Sequence, residues 1–177
     1  MDVARSCKVC KERYEPVYNT LQPTCGQIPC AMTYGRKQQE KARKITDKAF
    51  KKKVRDNDRS WHIKTLQIEF NKFIRLRDKG NDCISCGKSP KKINAGHYRS
   101  TGAAPELRFN ESNVHLQCEP CNSYMSGNIE NYRKNLISKI GLSAVIGLEG
   151  PHEPKKYTID ELKGMIADYR DRNKRLD

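Results

Sequence analysis

NVHLQCEPCN, residues 113–122, packs two cysteines, two asparagines and a histidine into ten positions. Cys118 and Cys121 have the two-residue gap that lets a pair of thiolates grip one tetrahedral ion. A second pair with the same gap, Cys83 and Cys86 in CISCG, lies upstream. Together the four predict a zinc site that closes residues 83–121 into one unit. Between the pairs runs SPKKINAGHYRSTGAAPELRFNESN (89–113), which has little core of its own. Structural zinc contributes about 10–16 kcal/mol of apparent binding energy, enough to fix such a segment. A purely structural knuckle, however, needs neither Asn113 nor His115 nor Asn122.

The chain has 177 residues, 36% of them hydrophobic and 32% charged, which is thin for one continuous core. Its eight cysteines fall into four close pairs, the other two being Cys7/Cys10 and Cys25/Cys30. The opening MDVARSCKVC has no apolar stretch, so no secretory signal is expected, and no run approaches the ~18 apolar residues of a membrane span. Paired cysteines in a cytoplasmic setting favour zinc over disulfides. Formal net charge is +14; eight thiolates and two Zn²⁺ would leave about +10. That surplus points to nucleic acid or another acidic partner. No apolar helix face accompanies the charge, which argues against a membrane surface.

Four regions are expected. Residues 1–35 read as an N-terminal zinc knuckle, with Tyr14, Pro16, Tyr18 and Pro23 giving a loop or hairpin composition between the cysteine pairs. Residues 36–80 form a basic helical region. Its first part, 36–60, has eleven Lys/Arg against four Asp/Glu and a narrow apolar stripe of Ala42, Ile45, Ala49, Phe50 and Val54. That is either a solvated linker helix or a helix lying along DNA phosphates. Ser60 is expected to cap a second helix over 61–78, with Ile63, Leu66, Phe70 and Phe73 on one face. His62 falls off that stripe and reads as a surface residue. Lys79-Gly80-Asn81 ends this helix. Residues 81–127 carry the zinc frame. Residues 128–177 predict further helices: one after Asn128 through Tyr132, Leu136, Ile137 and Ile140 to Gly141, a short turn near 143–148, and one behind the capping box Thr158-x-x-Glu161 with Leu162, Met165, Ile166 and Tyr169 on its buried face. His152, between Pro151 and Pro154, has no ligand-like neighbours.

The frame holds Ala95-Gly96-His97-Tyr98 at a defined distance from the residues just behind Cys121. His97 on a strand, Asn113 at the turn into a second strand and Asn122 opening a helix behind Pro120 would make a β-hairpin plus helix. In such a unit His97 and Asn122 converge, while Asn113 bonds backbone across the connecting loop. Phosphodiester hydrolysis needs those parts. A neutral imidazole takes the proton from water near pH 7. A hard cation, Mg²⁺ or Mn²⁺, suits the carbonyl oxygen of Asn122, and His115 can add a nitrogen ligand. Arg99 and Arg108 can hold phosphate oxygens.

At these residues the sequence resembles the HNH, or ββα-metal, nucleases of the zinc-framed branch, with the layout of endonuclease VII resolvases. More closely, CISCG, AGHYRSTGAAPELRFNESNVHLQCEPCNSYMSGN and NYRKNLISKIG resemble the lambda-type NinG (Rap) recombination endonucleases of phages. The N-terminal cysteines, the basic helices and YTIDELK resemble that family in order. The resemblance implies a small α+β fold: a ββα core over 81–127, flanked by helices and an N-terminal knuckle. It implies a metal-dependent enzyme acting on branched DNA, D-loops and Holliday junctions, in the host cytoplasm. It assigns His97 as general base, Asn113 as the loop-orienting residue and Asn122 as a metal ligand. Gly96 stands where many HNH enzymes carry an acidic or histidine ligand, so His115, ahead of Glu106 or Glu111, is expected to substitute. Cutting two strands of a junction favours a homodimer, with 36–78 as the candidate interface, and recombination proteins are possible partners. Two other readings compete: a zinc module that binds DNA junctions without cutting, and an HNH nuclease acting on linear duplex or RNA.

Overall fold

The computed structural model describes residues 4–17, 19 and 21–177; Tyr18 lies outside the described residues. The chain divides into two compact units, residues 1–56 and 57–177. The division falls inside the basic helical region expected over 36–80, not at its ends.

In the first unit, strands β1 (Arg5–Ser6) and β2 (Arg13–Tyr14) pair antiparallel. The helix α1 spans Ile28–Asp56. It starts eight residues before the expected 36, because Pro29 suits a first helical turn and Cys30 lies on it. Glu40–Lys44 and Arg43–Asp47 pair across one turn at 2.6 and 3.8 Å. Cys30 is the helix's one buried residue among those described, so the stripe of Ile45, Phe50 and Val54 stays open.

The second unit begins at helix α2, Arg59–Arg77. Its cap is Asp58, not Ser60: the carboxylate accepts from the backbone N–H groups of Ser60 and Trp61 at 2.8 and 3.2 Å. Asp58 lies just ahead of the helix with extended backbone and meets those N–H groups first. Leu66, Phe70, Phe73 and Ile74 are buried as the periodicity requires. His62 is buried too, contrary to the surface reading. It lies one helical turn before Leu66 and so extends the same face.

Strands β3 (Ile93–His97) and β4 (Val114–Cys118) pair antiparallel, from Ile93 opposite Cys118 to His97 opposite Val114. A π-helical turn over Pro120–Tyr124 comes next. Then come α3 (Ile129–Ile140), α4 (Leu142–Glu149) and α5 (Ile159–Leu176). The capping box at Thr158 and Glu161 forms as read. Asn128 stands at the start of α3, but in the left-handed region and without a side-chain cap.

The sheet separates two cores. Strand alternation sends Val114 and Ala95 to one face, where they join Leu66, Phe70, Leu162 and Tyr169 of α2 and α5. On the other side Tyr98, Tyr132, Leu136, Val145 and Leu148 cluster around α3 and α4. Asp78 ties the layers: its buried carboxylate accepts from Leu116 N at 3.0 Å and pairs with Arg77 and Lys139. Burial alone would raise its pKa; the Arg77 guanidinium outweighs that and holds the carboxyl below the usual range. The result is a mixed α+β chain with two cysteine clusters.

Candidate metal centres and cleft

Each cluster gathers four sulfurs, Cys7, Cys10, Cys25 and Cys30 in one and Cys83, Cys86, Cys118 and Cys121 in the other, all within 4.8 Å of one another. A zinc tetrahedron with Zn–S of about 2.3 Å has S···S edges of about 3.8 Å. The observed Cys10–Cys25 and Cys86–Cys118 separations are 3.9 and 3.8 Å. Backbone N–H groups already point at sulfur, Val9 to Cys7 at 3.4 Å and Cys118 to Cys83 at 3.3 Å, and the Asn128 amide lies 3.6 Å from Cys121 Sγ. Burial pushes Cys83 up, but these backbone donors win and draw it down to about 7; burial pushes Cys118 up to about 12. Four crowded thiols cannot all ionise alone, and a divalent ion removes the conflict. Both sites therefore fit Zn²⁺.

His97 ends β3 and lines an open cleft of about 510 Å³ together with Arg99, Asn122, Ser126 and Gly127. The structure thus brings His97 and Asn122 to one cavity. His97 Nε2 lies 3.0 Å from the carbonyl oxygen of Arg108. A carbonyl only accepts, so Nε2 carries the proton and Nδ1 keeps its lone pair. Burial lowers the His97 pKa below 6.5 against the opposing pull of that carbonyl. The ring is consequently neutral and basic at neutral pH.

Asn113 is fully buried and bridges the 99–113 loop. Its Oδ1 accepts from Arg99 N at 2.8 Å, and its Nδ2 donates to the carbonyls of Arg99 and Leu107 at 3.0 and 3.2 Å. All three bonds hold the loop that supplies Arg99 to the cleft and the Arg108 carbonyl to His97.

His115 does not reach the cleft. It sits opposite Gly96, on the sheet face away from His97, and is 2% exposed. Its Nδ1 lies 3.3 Å from the Tyr132 hydroxyl, and burial drops its pKa to about 3. Asn113 precedes β4 in a 3₁₀ turn. Arg108 is absent from the cleft lining and contributes its carbonyl; Arg99 lines the cleft. Glu111 is engaged by Arg172 at 2.6 and 3.0 Å and by the Tyr169 hydroxyl, which leaves it tied to α5.

Gln117 is a residue that sequence alone does not single out. It is fully buried, and its Nε2 donates to Ser85 Oγ and to the Gly127 carbonyl, joining the first cysteine loop to the cleft wall. A Cβ on Gly96 would lie 2.0 Å from Gln117 Oε1, which explains glycine at 96. The available signal is strand parity, since Gln117 faces the same side as Gly96. Tyr132, whose hydroxyl donates to the Gly96 carbonyl at 3.0 Å, reads from its spacing only as core.

Comparison with known proteins gives one family. The profile described as "Bacteriophage Lambda NinG protein" matches residues 2–177. Protein ninG of Escherichia phage lambda is 40% identical over 190 residues, covering 97% of this chain and 93% of that protein. Protein ninG of Salmonella phage P22 is 38% identical over 190 residues, and that of Escherichia phage 933W 38% over 187, with the same coverage. No solved structure matches the chain.

Proposed function

Because the chain belongs to the bacteriophage lambda NinG family, we propose that it is a metal-dependent, structure-selective DNA endonuclease. In this reading it cuts branched recombination intermediates, D-loops and Holliday junctions, in the cytoplasm of the host cell. The observation that carries it is His97 and Asn122 lining one open cleft, with the His97 proton committed to the Arg108 carbonyl. In this reading strands β3 and β4 and the turn at 120–124 correspond to the two strands and the helix of an HNH core.

His97 Nδ1 takes a proton from water as the water oxygen attacks phosphorus and one bridging P–O bond breaks. The Asn122 side-chain oxygen suits Mg²⁺ or Mn²⁺, which would supply charge stabilisation for the departing oxygen. Arg99 lines the cleft, where its guanidinium can hold a phosphate oxygen. Asn113 positions the loop, and His115, buried behind the sheet, belongs to the supporting core. The formal charge of +14 favours DNA phosphates, and a homodimer would offer a second cleft for the second strand. Among the described residues no helix is long and apolar enough to cross a membrane.

The test incubates zinc-loaded protein with labelled four-way junction, D-loop, linear duplex and RNA, in Mg²⁺, in Mn²⁺ or with neither ion. Branched DNA is cut in Mg²⁺ or Mn²⁺ and stays intact when neither is added. His97→Ala binds junctions with near wild-type affinity and loses about 10²–10⁴-fold in rate. Binding without cutting would leave a junction-binding zinc module. Equal cutting of linear duplex would leave a general HNH nuclease.

A further inference from the structure

We propose that the turn at residues 124–127 is an apolar wedge that stacks on unpaired bases at a DNA branch point. This rests on the nuclease reading above and names what would make it branch-selective. Two residues beyond Asn122, Tyr124 is 79% exposed and Met125 55% exposed. Large apolar side chains this open, beside the cleft of His97 and Asn122 in a strongly basic chain, can cover the π-face of a nucleobase.

The turn is built to hold them out. Ser126, Gly127 and Asn128 have φ of 48°, 86° and 45°, three successive left-handed residues, two of them not glycine. Such backbone persists only where its surroundings enforce it. Here Met125 N donates to the Pro120 carbonyl at 3.0 Å, Gly127 N to the Cys121 carbonyl at 2.9 Å and Asn128 N to the Met125 carbonyl at 2.7 Å. The Gly127 carbonyl in turn accepts from Ser85 and Gln117, and Asn128 reaches the Cys121 sulfur. The turn is therefore strapped to the cysteine frame from three sides, so its apolar side chains are presented by a rigid ridge.

That ridge serves two concavities. Ser126 and Gly127 wall the cleft of His97, Arg99 and Asn122. Met125 walls a second groove of about 470 Å³ that overlies the thiols of Cys86, Cys118 and Cys121; Lys88 and Lys91 edge it, and Lys92 there is paired with Glu119. One nucleic-acid strand in the cleft and another past Lys88 and Lys91 would part at the turn between Met125 and Ser126, beside the exposed Tyr124. In a continuous duplex a base step must first be unstacked to admit the ring; a branch point already exposes base faces.

The experiment measures binding of full-length, zinc-loaded protein, in buffer without Mg²⁺ or Mn²⁺, to a fluorescein-labelled four-way junction and to linear duplex of equal length. Wild type prefers the junction. Tyr124→Ser with Met125→Ser lowers the junction-to-duplex affinity ratio about ten-fold, whereas Tyr124→Phe keeps it. Lys88→Gln with Lys91→Gln flattens the salt dependence of junction binding more than that of duplex binding. Zinc content and circular dichroism confirm that each variant is folded. A ratio unchanged in the double serine variant overturns the wedge and leaves the nuclease reading intact. A wild-type chain that binds both DNAs alike removes branch selectivity itself, and the wedge with it.

Discussion

At the scale of single residues, the cleft depends on which nitrogen of His97 holds the proton. The Arg108 carbonyl fixes it on Nε2, and burial keeps the pKa below 6.5. A base acts when neutral, so the rate falls as pH drops through that lowered pKa. The acid limb of a kcat/KM–pH profile should therefore have its midpoint below 6.5; a midpoint above 7 would contradict the assignment. Gly96 yields a second expectation. Gly96→Ala drives a methyl into Gln117 and should cost about 1–3 kcal/mol in urea unfolding. The double variant with Gln117→Ala should lose less than the two singles combined, because the clash is then gone. Asn113 and Asn122 were legible in the sequence, since their distances from the cysteine pairs fix where they fall. His115 was not. Its place depends on strand register, which sets it opposite Gly96 and on the face away from His97.

At the scale of elements, periodicity gave α2 and α5 their buried faces, and Thr158 with Glu161 marked the start of α5. Helix ends were harder to read. Asp58 and Ser60 are both good capping residues two positions apart, and only the backbone conformation at 58 decides between them. Asp58→Ala should destabilise residues 57–177 by about 1 kcal/mol in thermal or urea unfolding, and Ser60→Ala by much less. His62 reads as a surface residue in the sequence because its burial depends on α5 packing over that end of α2, a contact between distant parts of the chain. Gln117 is not singled out there for the same reason, since its partners Ser85 and Gly127 lie 32 and 10 residues away.

At the scale of the whole molecule, the two units have separate sulfur clusters and separate reasons to fold. Residues 57–177 contain both apolar cores, so this fragment should fold alone, with one zinc per chain by mass spectrometry under non-denaturing conditions. Strong chelation should unravel the 83–121 segment and expose its amides to hydrogen exchange, while α2 and α5, held by their own packing, exchange slowly for longer. The first unit is a different case. Its helix α1 runs 29 residues, about 44 Å, and among the described residues its sole buried foothold is Cys30 in the first turn. Such a helix behaves as a lever hinged at its base. A tilt of about 10° at the sulfur cluster would sweep the far end by roughly 8 Å. A zinc ion held by Cys7, Cys10, Cys25 and Cys30 would thus govern where the open Phe50 and Val54 lie, some twenty residues along the helix.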